Sequence, residues 1–113
     1  MKIFLTYPLT DDLKDKTIAV VEKIRKATNR KAHSSELADL IGQLTDGAID
    51  HFYHQPVEVA KINILGKNAV NMAIRTASKG FHMVANKVVG SMTSEQLLII
   101  ADYIADQLIE VED

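Results

Sequence analysis

The 113-residue chain contains no cysteine and no tryptophan, and it has only two prolines, three tyrosines and three phenylalanines. Without cysteine it forms no disulfide, and it has no thiolate nucleophile and no Cys-ligated zinc or iron–sulfur site. A core so poor in aromatic residues must be built from Leu, Ile, Val and Ala. The lack of cysteine fits a reducing compartment, and we expect a cytoplasmic protein.

Long hydrophobic runs are also missing. The apolar run after Lys2 has three residues, which is shorter than the ~7–15 residues of a signal-peptide core. No window approaches the ~20 apolar residues of a membrane span. With 47% apolar and 25% charged residues, the sequence predicts a soluble, unprocessed protein without membrane association, folded as one domain over residues 1–113.

What the sequence does contain is helical periodicity, with apolar residues recurring at spacings of three and four. Thr93 and Gln96 form an S/T-x-x-E/Q capping box, and Gly90 stands where a left-handed C-terminal glycine is common. Apart from a short N-terminal arm, "KIFL", no stretch favours extended structure. Four helical segments are predicted: from Thr10 or Asp11, from Ser34 or Ser35, from about Pro56 to Val89, and from Thr93.

Net charge alternates along these segments. Residues 10–33 carry seven basic and four acidic side chains, and residues 56–87 carry five and one. Residues 34–55 and 88–113 carry four and six acidic side chains and no Lys or Arg. An antiparallel up-down four-helix bundle with a long third helix would place oppositely charged helices side by side, and this is the fold that we predict.

The connection between the second and third segments is ambiguous. "YHQP", residues 53–56, contains no Gly or Asn to turn the chain. We favour a hairpin at this point, with a rod kinked at Pro56 as the alternative. Such a rod would need a partner chain to cover it.

Small residues mark one side of the third segment. At 100° per residue they fall within an arc of about 80°, where they form a groove instead of a ridge. Glycine inside a helix costs ~0.5–1 kcal/mol relative to alanine, so close packing is expected there. A neighbouring helix of the same chain, a second chain and a ligand are all candidates to fill the groove. Its residues are Gly66, Ala69, Ala73, Ala77 and Gly80.

A second apolar line, Leu65, Met72 and Met83, projects roughly 100° away from the groove. A helix that is apolar on two sides is either surrounded or shared between chains. We therefore expect a homo-oligomer, with a dimer favoured, and the third helix near its interface.

The sequence contains few candidate metal-binding or catalytic residues. His51 and His54 share a side of the second segment, but no Glu precedes any histidine at the spacing of carboxylate di-metal bundles. We expect neither a metal site nor a cofactor, and His51/His54 remain the only metal-binding alternative. No phosphate loop or G-x-S-x-G motif is present, so we expect no enzyme.

A weak polyanion-binding face is a further alternative. Net charge of −2 and two acidic helices argue against it, and nucleic acid is not the partner that we expect. The sequence instead predicts a non-enzymatic helical interaction module that self-associates through its third helix. The basic side chains that would form the alternative face are Arg25, Lys26, Arg30, Lys31, Arg75 and Lys79.

Overall fold

The computed structural model describes residues 1–61 and 63–111, apart from the side chain of Ile64, and in these ranges every regular element is a helix. The all-α prediction is therefore confirmed, and the longest helix is the expected one. The α-helices are α1 (Asp11–Lys26), α2 (Ser34–Ile49), α3 (Gln55–Val59), α4 (Ile64–Gly90) and α5 (Ser94–Gln107), with a 3-10 turn at Arg30–His33 and a π-helical turn at Asp50–His54.

Local capping sets the helix starts that the sequence predicts. The Thr10 side chain accepts a hydrogen bond from the backbone N–H of Leu13 at 3.2 Å and so caps α1. At α5, Thr93 and Gln96 make both hydrogen bonds of the capping box, at 2.9 and 3.2 Å. Gly90, in contrast, is the last helical residue of α4, and its φ is not positive.

The second and third segments are divided differently from the prediction. The helix continues through Pro56, so the favoured hairpin at residues 53–56 is wrong. The wider π-helical turn just before Pro56 accommodates a residue that lacks an N–H and whose ring crowds the preceding turn. The kinked rod is wrong as well, because the helix ends at Val59 and α4 begins at Ile64.

The chain reverses between α3 and α4, where Lys61 has a left-handed φ of 55°. Asn63 then caps α4 by accepting a hydrogen bond from the N–H of Gly66 at 2.8 Å. The predicted third segment, 56–89, therefore consists of the short α3 and the 27-residue α4.

The core lies where α1 meets α2 and α5. Ile24, Leu37, Leu97 and Ala101 are completely buried in it, and Val89 adds the end of α4. Oppositely charged helices face each other here, as the alternating charge predicts. Lys23 pairs with Glu36 at 2.9 Å, Arg25 pairs with Asp102 at 2.7 Å, and Lys16 pairs with Asp39.

The outline of the chain is extended for its size. Its radius of gyration is 16.1 Å, compared with about 13 Å for a compact chain of this length. Helix α4 packs chiefly against α2. It is joined to α5 by a three-residue turn, Ser91–Thr93, but the two helices separate beyond that turn, which leaves an open corner between them.

Candidate interaction surface on the long helix

The side of α4 that faces α2 is the more polar one. His82 and Ser78 both reach Asp46 of α2: His82 Nε2 lies 2.7 Å from Asp46 Oδ2, and the Ser78 hydroxyl donates to Oδ1. The His82 imidazole lies against α2 at Gly42, where a Cβ would stand 2.4 Å from Cε1. Half-buried Ile74 supplies apolar contact on the same side. Polar contacts thus orient α4 on α2.

The opposite side of α4 is mostly apolar and faces outward. It spans an arc of about 160° and runs about 35 Å along the helix, from Leu65 to Val88. Large side chains on it are mostly uncovered, with Leu65 82%, Met72 69% and Met83 66% exposed. Thr76 and the exposed Lys87 are the polar residues within this arc, and Lys87 lies close to the C-terminal end of α4. We call this surface the outer stripe: Leu65, Ala69, Met72, Ala73, Ala77, Gly80, Met83, Val84 and Val88.

The outer stripe contains both groups of residues identified in the sequence, the groove of small residues and the second apolar line. Four of the five small residues lie exposed along it, and Gly66 is half-buried at its edge. At Gly80 no other helix of the described chain fills the expected groove, because no atom outside the nearby part of its own helix comes within 4 Å of a Cβ placed there. Tyr53 and Tyr103, two large aromatic side chains of the same chain, do not fill it either, since they are 61% and 62% exposed. In the single chain, Ala69, Ala73, Ala77 and Gly80 are therefore exposed and not packed against another helix.

Exposed apolar surface continues from the outer stripe onto α5. Ile99 and Tyr103 lie one turn apart on that helix and are 64% and 62% exposed. A cleft of about 410 Å³ at the α4–α5 turn is lined by Val88 and Ile99 together with Met92. Exposed apolar side chains of both helices thus border the open corner.

Comparisons of the chain with family models, with curated proteins and with solved structures give no match. Function must therefore be argued from the geometry.

The two histidines considered as metal ligands lie in the π-helical turn and have other partners. The His51 ring packs edge-on against Phe52, with centroids 4.8 Å apart, and lies 6.0 Å from the Tyr7 ring. His54 Nδ1 lies 3.3 Å from Asp50 Oδ1. Within residues 1–61 and 63–111, no three His, Asp or Glu side chains come together as a set of metal ligands.

The N-terminal arm, residues 1–9, is non-helical and is held by Tyr7. Its hydroxyl donates to the carbonyl of Leu44 at 2.5 Å, and its ring rests on Gly47, where a Cβ would stand 3.0 Å away. Burial raises the pKa of the Tyr7 phenol. Ile3 and Leu5, ahead of this anchor, are 94% and 84% exposed.

The basic residues of the alternative polyanion face do not form one continuous group. Three of those from α1 and the turn after it contact side chains of α1 and α5: Arg25 and Lys26 pair with Glu22, Arg25 also pairs with Asp102, and Arg30 donates to the Ser94 hydroxyl at 3.2 Å. The hydrogen bond to Asp102 raises the pKa of Arg25. Lys31, in the 3-10 turn, is exposed. Arg75 and Lys79 lie beside the other end of α2.

Sequence reasoning missed the contacts of Asp46 with Ser78 and His82. The signal was present, since Ser78 and His82 share one side of the third segment and Gly42 offers a place for a ring to approach the second.

None of the helices in the described ranges combines the length and the apolar content of a membrane-crossing helix.

Proposed function

We propose that this chain is a non-enzymatic helical module that works as a homodimer, in which the outer stripe of each copy packs into the open corner between α4 and α5 of the other. The observation that carries this proposal is the apolar outer side of α4, left uncovered although its polar side is used for packing on α2.

The exposed area supports association. A compact monomer of 12.5 kDa exposes about 6,200 Å², whereas this chain exposes 8454 Å². The N-terminal arm accounts for part of the excess. The outer stripe alone presents on the order of 600 Å² when treated as a strip of helix surface, at the top of the ~300–600 Å² range of the largest apolar patch on a typical monomer. With Ile99 and Tyr103 of α5 added, it approaches the ~800 Å² that each partner contributes to a standard interface.

The charges of the helices favour α5 of a second copy as the helix that packs on the outer stripe. Helix α4 contains four Lys or Arg residues and no carboxylate, so two α4 helices side by side would repel each other. Helix α5 contains Glu95, Asp102 and Asp106 and no Lys or Arg. In a two-fold dimer the α4–α5 contact occurs twice, which makes the surface self-complementary.

The shape of the outer stripe suits such a contact. Ala73, Ala77 and Gly80 let a helix approach the α4 backbone closely, and Met72 and Met83 can adapt around it. Tyr103 and Ile99 supply the bulk that a groove of small residues lacks.

The test uses Ala73→Glu, which places a charge in the middle of the outer stripe. Ala73 is exposed in the single chain, so the variant is expected to fold. Burying an unpaired carboxylate should weaken the dimer at least about a hundredfold, or ~2.7 kcal/mol. Light scattering over a dilution series should give twice the 12.5 kDa chain mass for the wild type and one chain mass for the variant.

Asn68→Glu is the matched control, because it adds the same charge to the same helix about 120° away from the centre of the outer stripe. It should leave the dimer intact. A wild-type chain that stays monomeric at high concentration, or a dimer that tolerates Ala73→Glu, would refute the proposal.

The contact between α4 of one copy and α5 of the other can be tested by disulfide cross-linking, because the chain has no native cysteine. Gly80→Cys and Tyr103→Cys chains, mixed and oxidised, should form a disulfide between the two variants. Cross-linking of Gly80→Cys alone, without the mixed product, would replace the α4–α5 contact by an α4–α4 contact while leaving the dimer itself standing.

A further inference from the structure

A cleft of about 610 Å³ lies on the flank of α4, between that helix and the end of α2 with its π-helical turn. Its volume is within the ~300–1,000 Å³ of small-molecule sites. Ile49 and Ile74 give it an apolar lining, and His54, Asn71, Arg75 and Lys79 add nitrogen donors. The α4 residues of the cleft point about 90° or more away from the centre of the outer stripe, so dimer formation leaves it open.

Arg75 and Lys79 are one helical turn apart and so lie on the same side of α4. Within the described ranges neither forms an ion pair, while Lys67 of the same helix pairs with Glu58 at 2.7 Å. Two unpaired cations on one side of a cleft, one of them a planar guanidinium, suit a carboxylate or a phosphate.

The carboxylates nearest to these cations already have partners. Both oxygens of Asp46, which lines the cleft, are used: Oδ1 accepts from Ser78, and Oδ2 contacts His82. Asp50 is held by His54 and by Gln55, at 3.3 and 3.2 Å. A bound anion therefore does not have to displace an existing ion pair of Arg75 or Lys79.

The π-helical turn contributes the third donor. Turns of this kind occur mostly as single turns within α-helices and are frequent at functional sites. Here the turn ends at His54, which lines the cleft across from Arg75.

We propose that this cleft binds a small organic anion, with a phosphate or carboxylate group held by Arg75, Lys79 and His54 and an apolar part resting on Ile49 and Ile74. A long polyanion fits less well, because the basic residues of α1 lie at the other end of α2 and give no continuous track for successive phosphates.

The experiment is an NMR titration of ¹⁵N-labelled protein with phenyl phosphate, benzoate and inorganic phosphate at constant ionic strength. Phenyl phosphate and benzoate should shift the amide signals around His54 and Arg75 in a saturable manner. Phenyl phosphate should bind at least about fivefold more tightly than inorganic phosphate. The relative affinities of phenyl phosphate and benzoate identify the preferred head group.

Arg75→Gln and Lys79→Gln should each weaken phenyl phosphate binding at least about tenfold. Lys87→Gln removes the same charge from the same helix outside the cleft, and it should change the affinity less than twofold. Shifts that never saturate, or an equal effect of Lys87→Gln, would overturn the proposal. So would tighter binding of a DNA oligonucleotide that depends on Arg25 and Lys31 as much as on Arg75.

Discussion

Gly42→Ala tests how α4 is held on α2. In the structure, the new methyl carbon would stand 2.4 Å from His82 Cε1 and 2.5 Å from Nδ1, whereas non-bonded carbon atoms pack at about 3.5–4.0 Å. The imidazole must therefore retreat by roughly 1 Å, which breaks the 2.7 Å contact between His82 Nε2 and Asp46.

The expected magnitude is a balance of two opposing terms. Crowding and loss of the contact should cost about 2–3 kcal/mol. Replacing glycine by alanine inside a helix stabilises the folded state by ~0.5–1 kcal/mol. Gly42→Ala should therefore destabilise the fold by about 1–2 kcal/mol, which lowers Tm by roughly 4–8 °C in a domain of this size.

A double-mutant cycle with His82→Ala isolates the cause. Once the imidazole is gone, the three atoms nearest to the new methyl group are removed, and Gly42→Ala should stabilise the fold by ~0.5–1 kcal/mol. Thermal and urea unfolding of the four proteins at one concentration measure both values. A Gly42→Ala effect of the same sign and size in both backgrounds would refute the proposed contact between His82 and Gly42.

Two further predictions concern other parts of the chain. In Gly80→Ala the added methyl group would have open space around it. The variant should therefore stabilise the monomer by ~0.5–1 kcal/mol but weaken the dimer. Thermal melts measure the first effect and light scattering at matched concentrations measures the second. The raised pKa of Tyr7 means that docking of the N-terminal arm is fully stable below the ordinary phenol pKa of 10.0 and is lost as the pH rises through the higher value of the folded state. Aromatic ¹³C NMR of Tyr7 follows this titration directly, and a midpoint equal to that of free tyrosine would contradict it.

Features that depend on neighbouring residues were predictable from the sequence. The caps at Thr10 and Thr93 are correct because a hydroxyl reaching a backbone N–H two or three residues on is a local interaction. The turn at Lys61 was missed because lysine rarely has a left-handed φ, so nothing in the sequence marks it. The predicted hairpin at Pro56 was wrong because the π-helical turn before this proline lets the helix continue through it.

The orientation of α4 depends on contacts between distant residues. Apolar periodicity left open whether the side with Ala73 and Gly80 packs against its own chain, a second chain or a ligand. The structure turns Ser78 and His82 toward α2, since Asp46 and Gly42 give them a partner and a place to pack. Periodicity identifies the apolar side of a helix, but it does not specify whether that side meets its own chain or another one.

The charge pattern offers a way to decide between those two cases. Four segments of alternating sign allow four favourable pairings around a bundle. The described contacts include three of them, α1 with α2, α1 with α5, and α2 with α4, and ion pairs join the first two. The fourth, α4 with α5, is limited to the surroundings of the turn between them. In the proposed dimer this pairing forms between chains, and the same contact covers the outer stripe. Because this pairing brings a basic helix against an acidic one, high salt should screen it and weaken the dimer, which light scattering of the wild-type chain at low and high salt measures.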